Sequence, residues 1–543
     1  MSQRIASSVC LIGALVLASC SSDGAPRAGG DRIRSAAPTI DRRPPQAGGT
    51  LTVGLDAETD GWNPTTSQWS AAGYAVATAI FDPLIIGGPD NQAHPYLAKS
   101  VTPDKTYAHW TITLRSGIKF HDGEALDAAA VVLQLTKAKA SFLLGQLLGP
   151  VEKVVRVSEL SLRVDMSEPW VAFPEALASQ VGYIASPKQL NAPADEAARH
   201  PIGTGPYVFK EWRRDDHLTA TKNTDYWQRG MPHPDLIVFK VIPDQQTRIA
   251  AFETGQIDTA GGLTPTQILQ YRKDKSVNLV EAPVDTPGLI MLNTLAPPLD
   301  DARVRRALAY ATNSAELLQT LGRGIGAVAD GPYRPTSPWY TPSGYPTKPD
   351  LAMARSLLDE YRTAKNVKGD IKITLGCTPG AINSQLVDIL SAQWARIGVT
   401  VIPHVTEQAT YINDAISGHY QADCWIQFGL PDPDLDSTWW RSENAHPIGQ
   451  LSLNFARNAD PQIDAALREA RRNPDPKVRK AAYGRVWKRF AADVPYIWTT
   501  RGETTLVYAK RVHLAQLNQP DGTEYSPPQL SGTLPLVGVW VDR

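Results

Sequence analysis

The stretch from Ile202 to Asp216 reads IGTGPYVFKEWRRDD, and two incompatible readings meet in it. Gly203-Thr204-Gly205 has the composition of a phosphate cradle. No Gly-Lys-Ser/Thr follows it and no helix signal opens there, both of which a P-loop requires. Tyr207, Phe209 and Glu211 instead alternate with their neighbours, the period of a strand. The segment is therefore expected to be a tight turn entering a strand, with glycines for backbone freedom. A second cluster, Gly322-Arg323-Gly324-Ile325-Gly326, follows a helical pattern rather than a strand, the wrong order for a dinucleotide fingerprint.

Working outward, the chain has 543 residues, enough for two or three lobes, and 42% of them are apolar. Its net charge is −1 and no basic stripe is visible, which leaves a nucleic-acid partner without support. No CxxC or HExxH pattern occurs and the ten histidines do not cluster at ligand spacing, so neither metal nor cofactor is expected. No Gly-x-Ser-x-Gly elbow is present, and no Ser, His and acid set stands out, so catalysis is not expected.

The N-terminus reads as an export signal. Arg4 supplies a short positive region, and Val9–Ala18 is an apolar run too short to cross a bilayer. Leu17-Ala18-Ser19-Cys20 then looks like a lipobox, which implies cleavage before Cys20 and lipidation of that residue. The plainer alternative is a soluble secreted protein in which Cys20 is incidental. Residues 1–19 are thus a signal peptide and 20–45 a tether rich in Gly, Pro, Ser and Arg. A coil of that length reaches about 30 Å on average. An export route permits a disulfide between Cys377 and Cys424, both in strand-like runs; two buried free thiols are the other reading.

In the folded body, Thr111–His121 alternates and meets the turn Asp122-Gly123, a hairpin signal. Helical spacing appears over Asp127–Leu144, Val304–Thr312 and Gln385–Gly398. The order ITLGC, helix, VTVIPHV, helix, ADCWIQF reads as βαβαβ with a largely parallel sheet. The N-terminal half mixes hairpins and helices.

A run of stretches now points to one family. They include GGTLTVGL (48–55), FDPLI (81–85), HPYLAKS (94–100), ITLRSGIKFHDGEAL (112–126), IGTGPYVFKEW (202–212) and NTDYW (223–227). They continue with IPDQQTRIAAFETGQID (242–258), LNT (292–294), DARVRRALAYATN (301–313), WARIGVTV (394–401), DPDLDSTWW (432–440) and PQIDAALREAR (461–471). In this order they resemble family 5 of the bacterial extracytoplasmic solute-binding proteins, the dipeptide-binding-like group of peptide and nickel ABC transporters. The resemblance implies an α/β, two-lobed periplasmic-binding-protein-like fold (class II, cluster C) with an extra inserted subdomain in lobe I. Lobe I is then expected at 46–285 plus 495–543, with the insertion near 70–195, and lobe II at 286–494. Two crossover strands are expected near 283–289 and 490–500.

The resemblance further implies a substrate-binding lipoprotein of an ABC importer. It would be a monomer on the outer face of the cytoplasmic membrane or in the periplasm. It would capture a peptide or peptide-like solute in an interlobe cleft and deliver it to permease subunits. Glu58, Thr59, Asp60 and Trp62 match the lobe I loop that contacts ligand, and Trp425, Phe428 and Gly429 the opposite wall. Family members anchor a peptide amine with an aspartate just after that tryptophan; here Phe428 takes its place. Asp423 or Asp432 remains available for the role. The cation that meets the carboxylate is also missing, where Asn383, Ser384 and Gln385 stand. That pattern keeps open a non-peptide solute such as a glycoside, opine, aromatic compound or metal chelate, and reuse of the fold as an envelope regulator. Trp425 also reads as strand core, and Asp432-Pro433-Asp434 as a turn and helix cap.

Overall fold

A computed structural model describes residues 40–88, 92–141, 144–427, 430–515 and 534–543. The signal peptide, Cys20 and most of the tether lie outside the described residues, as do Phe428 and Gly429.

The body is α/β and is organised by a sheet of eleven strands among the described residues. Its lobe I part contains β1 (Thr50–Leu55), in parallel register with two later strands. The first helix, α1 (Ala71–Ile80), packs its alanine-rich face behind β1. A separate antiparallel sheet follows, made of β2 (Ala98–Pro103), β3 (His109–Leu114), β4 (Val151–Arg156) and β5 (Ser161–Met166) in the order β2-β3-β5-β4. It has its own apolar core around Trp110, Ile112, Leu162 and Val164, as an inserted subdomain requires. Helix α2 (Ala128–Ala140) covers it, and Asp127 caps that helix by accepting from the Ala130 amide at 2.9 Å. The helix ends before the expected Leu144.

The chain returns to lobe I through the opening stretch. Strand β6 (Tyr207–Arg213) pairs with β7 (His217–Lys222), and that with β8 (Leu236–Val241), which lies parallel to β1. Gly203 and Gly205 are needed for close approach rather than for unusual dihedrals. A Cβ at either would collide with the carbonyl of Ile80 at the end of α1, and Gly205 N donates to that oxygen at 2.9 Å. Between the two glycines, Thr204 donates to the buried Asp82 carboxylate at 3.0 Å. Tyr226 (3.0 Å) and Trp227 (2.9 Å) donate to the same group. Three of the quoted stretches, FDPLI, IGTGPYVFKEW and NTDYW, therefore meet at one carboxyl, which burial pushes up to about 7.

Two long strands join the lobes. After β9 (Thr259–Gly261), strand β10 runs over Val277–Leu292, and the C-terminal β14 over Tyr496–Ala509. They pair antiparallel along their length, but the register breaks between Pro283 and Leu289, opposite Trp498–Glu503. The β14 side of that break starts inside the expected 490–500 window and runs three residues beyond it. Such irregularities weaken the ladder locally, which suits a bending point.

Lobe II is the expected βαβαβ unit. It consists of β11 (Ile371–Cys377), α4 (Ala381–Ala395), β12 (Val399–Val405), α5 (Gln408–Ser417) and β13 (Ala422–Ile426), in the order β12-β11-β13-β10. Here α3 is the earlier helix Ala302–Ala311, whose Val304, Leu308 and Ala311 enter the core. Helix α4 starts four residues before the expected Gln385, directly after Gly380. Gly398, with φ 76°, turns the chain into β12, which runs parallel to β11. Helices α6 (Pro461–Arg472) and α7 (Pro476–Asp493) complete the lobe. Its core runs from Leu289 through Leu375, Trp394 and Trp487 to Trp498, whereas lobe I is built around Leu51, Ile80, Phe239 and Val539. Cys377 and Cys424 sit on the adjacent parallel strands β11 and β13 with Cα atoms 5.1 Å apart, and they form a disulfide.

Candidate functional site

The two crossover strands form the floor of the region between the lobes, and lobe II supplies a loop that lies on it. Asp285 of β10 accepts from the Arg334 amide at 2.9 Å, with the Arg334 guanidinium 3.5 Å away. Burial raises the Asp285 carboxyl above its usual range. Arg501 of β14 donates to the carbonyls of Pro332 (3.0 Å) and Tyr333 (2.9 Å), and stands 3.5 Å from Asp330. Burial lowers its pKa. Arg334 Nη1 is buried and has no hydrogen-bond partner. The floor thus carries one guanidinium with an unused donor.

On the lobe I side, the loop after β1 is bonded into its own lobe. Glu58 accepts from Trp212 Nε1 at 2.7 Å and from the Asp215 amide at 3.1 Å. Thr59 Oγ1 donates to the Gln68 carbonyl at 2.9 Å. Trp62 is 2% exposed and meets Trp212 edge-on at 5.5 Å. Glu58 and Trp62 contact the β6–β7 hairpin, whereas the Thr59 side chain bonds within its own loop. Asp60 is exposed and accepts from the Gln68 amide at 2.9 Å.

On the lobe II side, Trp425 is half-buried, stacked on Tyr411 at 5.5 Å and edge-on to Phe455 at 5.5 Å. Asp432 is fully buried. It caps the turn Pro433–Asp436 through the Asp434 amide at 2.9 Å and receives Arg479 at 2.7 Å and Tyr483 at 3.3 Å. Its contacts are those of a helix cap, with Arg479 beside its carboxylate inside lobe II. Asp423 stands on β13 opposite Met291, within lobe II rather than at the crossover. Asp436 accepts from the Leu430 amide at 3.2 Å and from Tyr333 at 3.4 Å. Burial pushes its carboxyl up to about 7.

The inserted subdomain touches lobe II beside this floor. Glu168 bridges Arg471 (3.1 Å) and Arg472 (2.8 Å), Trp170 Nε1 donates to Asp434 at 2.7 Å, and the Val171 amide to the Arg471 carbonyl at 2.9 Å. Leu435 of lobe II enters the apolar core of the subdomain. Glu175, also on the subdomain, is half-buried, and its Oε2 is buried without a hydrogen-bond partner. Burial, and then the nearby Asp432 charge, push it up to about 7. None of Asp285, Glu168, Glu175, Arg334 or Arg501 stands out in the sequence. Asp285 and Arg501 lie within strands, Glu175 in a short helix, and Glu168 and Arg334 in loops, so no shared local pattern marks them.

This arrangement of two cores, two crossover strands and a polar seam is that of a binding protein whose ligand lies between lobes. The model of the bacterial extracellular solute-binding proteins, family 5, matches residues 92–446, and the chain belongs to that family. The glutathione-binding protein GsiB of Shigella dysenteriae serotype 1 is 32% identical over 442 residues, covering 78% of this chain and 83% of that protein. Among solved structures, the periplasmic binding protein DppA from Helicobacter pylori, in complex with a peptide, superposes with a TM-score of 0.77. It is 22% identical and covers 92% of this chain and 99% of its own. The binding protein AgaA from A. tumefaciens, in complex with agropinic acid, also reaches 0.77, at 23% identity, 91% of this chain and 99% of that one. The chain is thus a solute-binding protein with the two-lobed fold.

Proposed function

We propose that this chain is the exported, lipid-anchored capture subunit of an ABC importer and that it holds a peptide or peptide-like solute between its lobes. The observation that carries the reading is the floor itself. Two crossover strands change register between separately packed lobes, and Arg334 there keeps a buried donor unsatisfied. A buried guanidinium N–H without a partner is costly, and a ligand carboxylate is the group that best satisfies it. GsiB, named for glutathione, and DppA, seen with a peptide, support a ligand that carries carboxylates. The protein acts by binding rather than by turnover. Closure shifts with the solute's differential affinity for the closed form, to which both lobes contribute.

On this reading lobe I comprises 46–285 and 495–543, and lobe II 286–494. Asp60 and Trp425 are the wall contacts, and lipidated Cys20 holds the body at the membrane next to its permease. Native mass spectrometry of the purified chain, with denaturing extraction, tests the ligand class. A co-purified peptide series or glutathione-like mass supports the reading. A discrete mass without a carboxylate overturns it in favour of a non-peptide solute.

A further inference from the structure

Lobe II contains a cavity of about 310 Å³ between helix α5 and strands β11, β12 and β13. Thr374, Gly376, Tyr411, Asp414, Tyr420 and Asp423 line it, and every lining residue belongs to lobe II. We propose that this cavity is a second ligand site, separate from the interlobe cleft, that takes a small organic cation bearing a primary ammonium or guanidinium group.

Asp423 carries the argument. It is 3% exposed, it lines the cavity, and its Oδ2 has no hydrogen-bond partner. A buried carboxyl without a partner is among the most costly arrangements a fold can hold. Lobe II makes room for it: a Cβ on Gly376 of the neighbouring strand would collide with Asp423 Oδ1. The second carboxyl at the cavity is Asp414 of α5. Among the described residues no lysine or arginine forms an ion pair with either carboxyl. Arg457, packed against Gly418 at the cavity edge, turns to the carbonyls of Ala415 (3.1 Å), Phe455 (2.9 Å) and Ile416 (2.7 Å). His404 and His419 line the cavity with exposed side chains, and His419 shares its Nδ1 with Ser417 Oγ at 3.1 Å.

The chemistry selects the ligand. Two carboxyls with no counter-ion exclude an anion. The Tyr411 ring, stacked on Trp425, offers a face of the kind that attracts organic cations. A hard metal ion takes roughly six oxygens or more, and no group of three or more acidic, His or Cys side chains is placed to hold a metal among the described residues. The volume lies at the lower end of small-molecule sites. Burial, followed by the Asp414 charge, pushes the Asp423 carboxyl up to about 8, so near neutral pH an arriving cation displaces its proton. The titratable groups sharing the cavity are Asp414, Tyr411, Tyr420, His404 and His419.

The test is calorimetric titration of the full chain with agmatine at pH 7, in two buffers of different ionisation enthalpy. The expected result is saturable binding with about one proton released per agmatine bound. Asp423→Asn should weaken it about tenfold or more, and Asp414→Asn, on the more exposed helix, several-fold. Circular dichroism and a cooperative unfolding transition verify that each variant is folded. If Asp423→Asn fails to fold, Asp414→Asn decides. Absence of saturable heat overturns the proposal. So does undiminished binding in the deciding variant, which would place agmatine in the interlobe cleft, or saturation by calcium or nickel ions alone.

Discussion

Replacing Asp423 by Asn should make the pH profile of stability flatter, and the size of the change follows from the cavity. The carboxyl lies near pKa 8 in the folded protein and at 3.8 without the fold. The folded state therefore binds the proton more tightly than the unfolded chain does. The sign is fixed by linkage. Below about pH 4 the group is protonated in both states and contributes no pH dependence. Between about pH 4 and 8 the unfolded chain loses its proton while the fold keeps it, so stability falls by about 1.4 kcal/mol per pH unit. Above pH 8 both states are ionised and the penalty stays constant, on the order of 5 kcal/mol. An Asn at 423 cannot ionise and carries only a pH-independent offset for its own buried amide, about 1–3 kcal/mol. The difference between the two proteins should thus grow steadily from pH 4 to 8 in favour of the variant and then level off. Denaturant midpoints followed by tryptophan fluorescence measure it without added ligand. Parallel profiles across that window would show that Asp423 ionises as freely in the fold as in the open chain, and the account of the cavity would fail. A saturating cation should lower the carboxyl's folded pKa and shrink the gap, which connects the measurement to the proposed site.

Three further outcomes are expected. Arg479→Met leaves Asp432 buried with its charge unmatched and should destabilise lobe II by about 3–5 kcal/mol, read from denaturant unfolding; a loss below about 1 kcal/mol would mean that Asp432 reaches solvent. Glu168→Gln weakens the bridge from the inserted subdomain to Arg471 and Arg472, which is partly exposed and worth about 1 kcal/mol. Solute affinity should fall about fivefold, with a larger radius of gyration in solution scattering; unchanged values of both would detach this contact from closure. Cys20→Ser should release the protein from membranes in a sedimentation assay, and continued sedimentation with them would remove the lipid anchor.

Local pattern was enough for the architecture. The alternation in Tyr207–Arg213, the helical spacing before Gly398 and the βαβαβ order of lobe II depend on a few neighbouring residues, so they are written in the sequence itself. The order of the quoted stretches likewise carried the family. Where individual charges point was another matter. Glu58 and Thr59 were expected at a ligand, but the β6–β7 hairpin, about 150 residues later, takes up the Glu58 carboxylate and Thr59 bonds within its own loop. Asp432 was open to two readings until α7 docked and placed Arg479 against it. The glycines of the opening stretch looked like dihedral freedom and prove to be clearance for the Ile80 carbonyl. The pairing of Glu168 with Arg471 spans 303 residues, and the cavity at Asp423 exists only because α5 lies across three strands. By itself the sequence determined which segments are strands and helices and which family they compose, because those depend on short-range periodicity and on motif order. Only the tertiary structure decided which carboxyls are matched and which are left facing space, because a buried charge finds its partner through the packing of elements far apart in the chain.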